Sequence, residues 1–454
     1  MKVNPEIFKS YDIRGIYPKD LNEDVARAFG RGYATLIQGE NPGKKLTIVV
    51  GNDMRISSPS VTKALIEGLI ASGVDVVHVG MVTTPTFYFA VGFYGYDGGV
   101  QVSASHNPKE WNGFKIVRAK AAPISGETGI QKIREIIEKE DYVTSNRTGK
   151  LSERANVVEE AVKEMQKDYD ISKIKPFTIV VDAANSVGAL DVEAMFKALP
   201  CKIIKLNFKL DGTFPVHEAD PLKEENLKLV QEAVLEHNAD LGISPDGDGD
   251  RYFFVDNKGE LVRQEILRGI MAQIALEEHP GETVCYDIRP GRITRDMIEE
   301  AGGRAVVTPV GHSLIKGVMI KENAVFGGES SGHYFYRYPF GTFESPIALV
   351  TKFLIYLSQQ NKSFSEVLKP YKKYVHSGEI NSEVSDVKNK IEEIKKAYDD
   401  GNQNYLDGVT VEYDDWWFNV RGSNTEPKIR LNLEAKTKEL MEEKRDEVLG
   451  LIRK

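Results

Sequence analysis

Thr47-Ile48-Val49-Val50-Gly51 returns as Thr178-Ile179-Val180-Val181-Asp182 and, in looser form, as Thr283-Val284-Cys285-Tyr286-Asp287. Each is a short, largely β-branched run of the kind that fills a buried strand. A second strand follows each after a helix-length interval, at Val74 to Val79, Lys202 to Leu206 and Arg304 to Val307, as in βαβ crossovers. A third strand follows in each case, at Gly99 to Ser103, Ala239 to Ile243 and Asn323 to Phe326. Three copies of one unit predict three related mixed α/β domains facing one central cleft. Open α/β sheets bind ligands beyond the carboxyl ends of their strands, so function is expected in the loops after the third strands. The competing reading is coincidence, since a Thr-Ile-Val-Val run suits any buried strand.

Beyond His333 the pattern changes. Ser345 to Gln359 predicts a helix with Ile347, Val350, Leu354 and Leu357 along one face and Phe353 beside them. Phe364 to Lys373 is a polar, proline-containing boundary. After it come strands at Gly378 to Val384, Val409 to Tyr413, Trp417 to Val420 and Ile429 to Glu434, with helices near Lys388 to Tyr398 and over Lys438 to Ile452. These predict a smaller C-terminal α+β domain. The expected division is 1–150, 151–254, 255–368 and 369–454.

The 454 residues exceed one core, and 41% hydrophobic against 28% charged residues is ordinary for a soluble globular protein. A net charge of −9 without a dense Lys/Arg block argues against nucleic acid. Cys201 and Cys285 are far apart and lack a pairing or thiolate-metal pattern, so a reducing cytoplasm is expected. Met1 to Pro5 lacks the apolar core of a signal peptide. The most apolar window, Val76 to Gly95, is interrupted by His78, Pro85 and threonines, so no membrane span is expected.

Four loops carry chemistry. The first reads Val102-Ser103-Ala104-Ser105-His106-Asn107-Pro108-Lys109-Glu110-Trp111-Asn112-Gly113-Phe114-Lys115. A hydroxyl at a strand's end, followed by an imidazole, an amide and a proline, suits a serine that carries a group. It equally suits an Asn-Pro turn whose serine bonds its own backbone. In Asp246-Gly247-Asp248-Gly249-Asp250 the glycines let three alternate carboxylates converge, as hard oxygen ligands of Mg²⁺. An EF-hand is excluded, because its glycine would fall at Arg251 and its glutamate at Asn257. An aspartyl phosphatase would want Thr or Val where Asp250 stands, and an acidic surface turn remains open. Gly328-Glu329-Ser330-Ser331-Gly332-His333 suits two neighbouring sugar hydroxyls, or is a Ser/Gly loop with a solvated glutamate. Arg421-Gly422-Ser423-Asn424-Thr425-Glu426-Pro427 with Arg430 offers guanidiniums and short donors to a phosphate, or is a polar hairpin. Gly43-Lys44 and Gly149-Lys150 lack the Ser or Thr of a Walker loop, so none competes.

In this order the loops resemble those of the α-D-phosphohexomutase family, the phosphomannomutases and phosphoglucomutases: Ala-Ser-His-Asn-Pro with Asn-Gly-Phe-Lys, Asp-Gly-Asp-Gly-Asp-Arg, Gly-Glu-x-Ser-Gly and Arg-x-Ser-Asn-Thr-Glu-Pro. Tyr11-Asp12-Ile13-Arg14-Gly15 resembles the family's amino-terminal motif. The resemblance implies a resting enzyme phosphorylated on Ser105, and Mg²⁺ held by Asp246, Asp248, Asp250 and the Ser105 phosphate. It places Arg14 near the transferred phosphate, His106 and Lys115 in catalysis, and Arg251 against the serine loop or the substrate. Lys115 is its general acid/base, tuned by burial beside cations; a lysine paired to a surface carboxylate is the alternative. Glu329, Ser331, His312 and His333 correspond to sugar-binding positions, and Arg421, Ser423, Asn424, Thr425 and Arg430 to the grip on the non-transferring phosphate.

The implied activity moves a phosphate between C1 and C6 of mannose and/or glucose through a bound 1,6-bisphosphate sugar. Glucose 1,6-bisphosphate or mannose 1,6-bisphosphate would be the activator and sugar phosphates the only partners of a monomer or homodimer. Asn424, where the glucosamine-phosphate branch usually has glycine, favours the mannose/glucose branch. A phosphoglucosamine mutase, a phosphatase releasing phosphate to water and a non-catalytic sugar-phosphate binder are the alternatives.

Overall fold

A computed structural model describes residues 3–422 and 428–454. The chain forms two compact units, Met1–Val262 with Ser331–Val367, and Arg263–Ser330 with Leu368–Lys454.

The first unit holds a six-stranded sheet in the order Ile13–Ile16, Trp111–Arg118, Gly98–Val102, Thr47–Asn52, Asp75–Met81 and Leu151–Glu153. Its four-stranded sheet runs Tyr252–Asp256, Leu241–Pro245, Thr178–Asp182 and Lys202–Leu206. The second unit contains a parallel trio with Thr283–Asp287 between Arg304–Thr308 and Phe326–Gly328. In all three the first predicted strand is central, with the second and third strands on either side and parallel to it. The register repeats as well. Thr47, Thr178 and Thr283 pair with Asp75, Lys202 and Arg304, while Ile48, Ile179 and Val284 pair with Gly98, Leu241 and Phe326. Coincident β-branched runs would not share a register, so the coincidence reading falls.

The predicted helix at 345 begins at Pro346. Ser345 is its cap, accepting from the Ala348 amide at 3.4 Å, and proline fits the first turn because its missing N–H has no partner to lose there. The expected boundary at 364 carries a short helix, Phe364–Leu368. The second unit's other sheet is antiparallel throughout, in the order Val375–Glu383, Lys428–Ala435, Trp416–Gly422, Val409–Glu412 and Asn402–Asn404. Helices Val387–Ala397 and Lys438–Ile452 join Phe418, Val420, Leu431 and Leu433 in its core through Ile394, Val448 and Ile452. The edge strand Asn402–Asn404 was not predicted, because a polar run of three residues gives no alternation to read. Among the described residues no helix is long and apolar enough to cross a membrane.

Helices Glu23–Glu40 and Ser58–Ala71 cross on the first sheet with their backbones touching. A Cβ on Gly68 would lie 2.1 Å from the carbonyl oxygen of Arg27. An ordinary helical Gly→Ala change stabilises by about 0.5–1 kcal/mol. Gly68→Ala should instead destabilise by about 1–3 kcal/mol through forced separation of the helices, read as a lower urea midpoint; a raised midpoint would show that the crossing has slack.

Candidate active site

The strand Gly98–Val102 delivers Ser105 at its carboxyl end, 1% exposed and at φ +52°. A non-glycine residue there is strained and holds only where neighbours impose it. The amide of Ser105 donates to Ser103 Oγ at 3.0 Å. Its own Oγ donates to Asp246 Oδ2 at 2.8 Å and lies 3.2 Å from His106 Nδ1. The self-contained turn is thereby set aside, since the hydroxyl reaches across to the other sheet.

The strand Leu241–Pro245 delivers the aspartate loop. Asp246 Oδ1 accepts from the amides of Asp250 at 3.1 Å and Arg251 at 3.3 Å, so the loop folds around its own first carboxylate. Position 247 must be glycine, because a Cβ there would meet the Ser105 carbonyl oxygen at 2.2 Å. Asp246, Asp248 and Asp250 are all buried, which disposes of a solvated acidic turn.

Lys115, on the strand Trp111–Arg118, places Nζ 2.6 Å from Asp248 and against Asp250. Asp248 Oδ2 also accepts from Thr84 Oγ1 at 2.5 Å. Asp250 Oδ1 faces His333 Nε2 at 3.2 Å, and Ser331 Oγ lies 3.0 Å from His333 Nδ1. Arg251 Nε is 3.4 Å from His333 Nε2 and 3.8 Å from Asp246. Arg14 is held by Asp12 at 2.7 Å and by Asn107 of the serine loop. The first unit thus gathers Arg14, Ser105, His106, Lys115, Asp246, Asp248, Asp250, Arg251, Ser331 and His333.

Burial holds the His106 imidazole well below its usual range, helped by Arg251 and Arg14, so it is neutral. Burial alone would pull Lys115 down, as expected, but Asp248 and Asp250 override it and hold the lysine above its usual value. The expected tuning is therefore reversed: Lys115 is a fixed ammonium, because its nearest neighbours are carboxylates and not cations. Burial and the charges of Asp250 and Asp248 push Asp246 up, while Lys115 and His333 outweigh burial to hold Asp250 well below the carboxylate range.

Oxygens of Asp246, Asp248 and Asp250 lie within 4.8 Å of one another. Asp248 Oδ1 is buried without a hydrogen-bond partner. An all-oxygen donor set with an unsatisfied buried acceptor fits Mg²⁺. Asp250, His333 and Glu344 form a second grouping within the same span.

In the second unit Glu329 Oε1 accepts from the amide of Gly311, one residue before the helix His312–Glu322, at 2.8 Å. Arg289 lies 3.8 Å from Glu329 and is pinned on Asp287 at 2.5 Å. Arg421 pairs with Glu379, which lies 3.6 Å from Arg430. Burial would raise the Glu379 carboxyl, yet Arg421, Arg289 and Arg430 hold it below its usual range. Ser423, Asn424 and Thr425 lie outside the described residues.

Sequence reasoning missed Thr84, Glu379 and Arg55, and named Asp12 only within the amino-terminal motif, without a role. Arg55 lies buried beneath the serine loop; the signal was a charged Asp53-x-Arg55 pair at the carboxyl end of the central strand Thr47–Asn52. Thr84 offers a weaker signal, as the first residue of the helix Thr84–Phe93 after a Thr83 cap.

Four family profiles match along the chain: phosphoglucomutase/phosphomannomutase alpha/beta/alpha domains I, II and III over 5–144, 158–259 and 265–374, and the C-terminal domain over 379–451. A phosphomannomutase of Methanocaldococcus jannaschii is 38% identical, covering 99% of this chain and 98% of its own. A phosphomannomutase of Vibrio cholerae is 35% identical over 98% of each. The crystal structure of a phosphoglucomutase/phosphomannomutase family protein from Burkholderia thailandensis aligns with a TM-score of 0.91 at 32% identity, over 99% of this chain and 98% of that one. Fold and matches together define a phosphohexomutase of four α/β domains, an isomerase. The chain belongs to the phosphoglucomutase/phosphomannomutase family.

Thr83 and Thr86, at the start of the helix that supplies Thr84, both donate to Asp191, at 2.6 Å and 3.1 Å. Burial pushes this carboxyl up to about 6, the hydroxyls opposing only in part. A carboxyl that holds its proton more tightly when folded contributes stability below the unfolded value near 3.8, and that stability is lost as pH rises through about 6. Asp191→Asn should flatten the stability profile between pH 4 and 7, a gain over wild type on the order of 2–3 kcal/mol at the upper end. Urea titrations across that range would measure it, and an unchanged slope would mean the folded carboxyl is already ionised.

Proposed function

We propose that this phosphohexomutase interconverts the 1-phosphate and 6-phosphate of a hexose, mannose and/or glucose, with Ser105 as phosphoryl carrier and a bound 1,6-bisphosphate sugar as intermediate. The observation that carries the reading is the buried Ser105 hydroxyl, donating at 2.8 Å to Asp246 of a loop whose carboxylates converge. Phosphorylated Ser105 gives its phosphoryl group to the free hydroxyl of the bound monophosphate. The P–Oγ bond breaks, a P–O bond to the sugar forms, and the hydroxyl proton leaves to a base. With the sugar held the other way round, the second phosphate returns to Ser105.

His106, neutral and 3.2 Å from Oγ, can accept a proton, whereas Lys115, held as an ammonium, can only donate one. Arg14 and Arg251 supply guanidiniums for the charge of the moving group. Mg²⁺ held by Asp246, Asp248 and Asp250 with the serine phosphate would neutralise phosphoryl oxygens. Glu329, Ser331, His312 and His333 are assigned to sugar hydroxyls. Arg421, Ser423, Asn424, Thr425 and Arg430 are assigned to the phosphate that stays. Glu379 already offers Arg421 and Arg430 the paired oxygens that a phosphate would offer them. Relatives named phosphomannomutase support mannose as one of the sugars. The free cysteines Cys201 and Cys285 suit a cytoplasmic enzyme.

Mannose 1-phosphate and glucose 1-phosphate should be converted to 6-phosphates with Mg²⁺ and a trace of glucose 1,6-bisphosphate, while glucosamine 1-phosphate reacts far more slowly; phosphorus NMR resolves the products. Ser105→Ala should fold normally and lose at least about 10³-fold in turnover, and EDTA should silence the wild type. Stoichiometric release of free phosphate would favour the hydrolytic reading, and near-wild-type turnover by Ser105→Ala would refute the carrier.

A further inference from the structure

Arg55 is 1% exposed, yet its guanidinium is fully engaged. Nη1 donates to the carbonyls of Pro108 at 2.7 Å and Trp111 at 3.0 Å. Nη2 donates to those of Ser105 at 2.8 Å and Asn107 at 2.6 Å. Nε donates to Asp53 Oδ2 at 3.2 Å. A guanidinium has five N–H donors in a rigid plane, and these are five acceptors. Four of them are backbone carbonyls of one loop, the one that bears the serine. Asp53 orients the group, accepting also from the Arg55 amide at 3.0 Å and from Ser58 Oγ at 2.6 Å.

Arg55 touches no exposed surface from which it could meet a sugar phosphate. What it does hold is the carbonyl of Ser105, the residue in the left-handed region whose hydroxyl faces Asp246. A serine so placed keeps its conformation only against local strain. Turning its peptide would swing Oγ away from the aspartates.

We propose that Arg55 is a positioning residue for phosphoryl transfer: by fixing the carbonyls of Ser105, Asn107, Pro108 and Trp111 it aims Ser105 Oγ at the aspartate loop. The inference rests on the reading of Ser105 as phosphoryl carrier. Lysine cannot replace this arginine, because a single ammonium with three donors cannot reach four carbonyls spread over seven residues.

The test uses the full-length enzyme with Arg55→Lys and Arg55→Met. Three readouts are needed: the affinity for glucose 6-phosphate, steady-state kcat and KM, and the single-turnover rate at which phosphate moves between Ser105 and the sugar. Positioning predicts affinity and KM within about threefold of wild type. It also predicts kcat and the single-turnover rate, in both directions, lower by about 10²-fold or more. Arg55→Lys should be no faster than Arg55→Met by more than about tenfold. A folded variant with wild-type transfer would overturn the proposal, as would a loss of affinity that matches the loss of rate. Should neither variant fold, Asp53→Asn keeps the guanidinium and removes the charge that orients it; a fall of about tenfold in single-turnover rate is expected, and an unchanged rate would overturn the proposal equally. Intact-protein mass spectrometry of the wild type keeps the two readings apart. Turnover without any phosphate on Ser105 would sink the carrier reading, whereas a phosphorylated wild type beside an equally fast Arg55→Lys would sink only the role of Arg55.

Discussion

The first unit depends on one buried ammonium set between two carboxylates. Lys115 sits inside a strand whose neighbouring side chains belong to a hydrophobic core: Phe114, on the opposite face, stacks on Phe29 at 4.5 Å, and Ile116 lies in the same cluster. A lysine at such a place must be paired, because an isolated buried charge costs several kcal/mol. Asp248 and Asp250 supply the pairing, and with it a bond between the serine-bearing sheet and the aspartate-bearing loop. Arg251, 3.8 Å from Asp246, adds a second cation, yet burial and the charges of Asp250 and Asp248 still push Asp246 up. On the proposed reading these oxygen donors, with Asp248 Oδ1 still lacking a hydrogen-bond partner, would hold a hard cation such as Mg²⁺.

The repeated unit explains how such a site can arise from loops far apart in sequence. In each copy the same strand is central and the same register holds, so the third strands end at equivalent places. In the first unit two of those ends meet. Gly247 lies so close to the Ser105 carbonyl that no side chain fits between them, and the hydroxyl spans the remaining gap to Asp246. The scaffold fixes where the loops emerge, and the loops alone differ in chemistry.

Much of this was legible in the sequence. The β-branched runs named the central strands to within a residue, and alternating Asp and Gly announced carboxylates that converge. Short polar elements such as Asn402–Asn404 were not legible, because their strand character comes from pairing and not from pattern. Arg55 was overlooked for a related reason: apart from Asp53, its acceptors are backbone carbonyls, which leave no mark on residue identity, so the Asp53-x-Arg55 pair was its one signal. The direction of the Lys115 shift was misread because sequence shows which charges a protein has, while the sign of a shift depends on which of them lie nearest.

The second unit uses charge differently. Arg421 and Arg430 converge on Glu379, and Arg289, locked by Asp287, adds its field from beside Glu329. Guanidiniums aligned in advance by a carboxylate need little reorganisation to receive another planar or tetrahedral anion. On the proposed reading, a phosphate with more charge and more acceptor oxygens than Glu379 competes for the same forks, whereas an uncharged end of a sugar cannot. Discrimination between the two ends of a hexose monophosphate then comes from a contest between carboxylate and phosphate. On that reading either end of a bisphosphate would be held there, because both carry the group that wins.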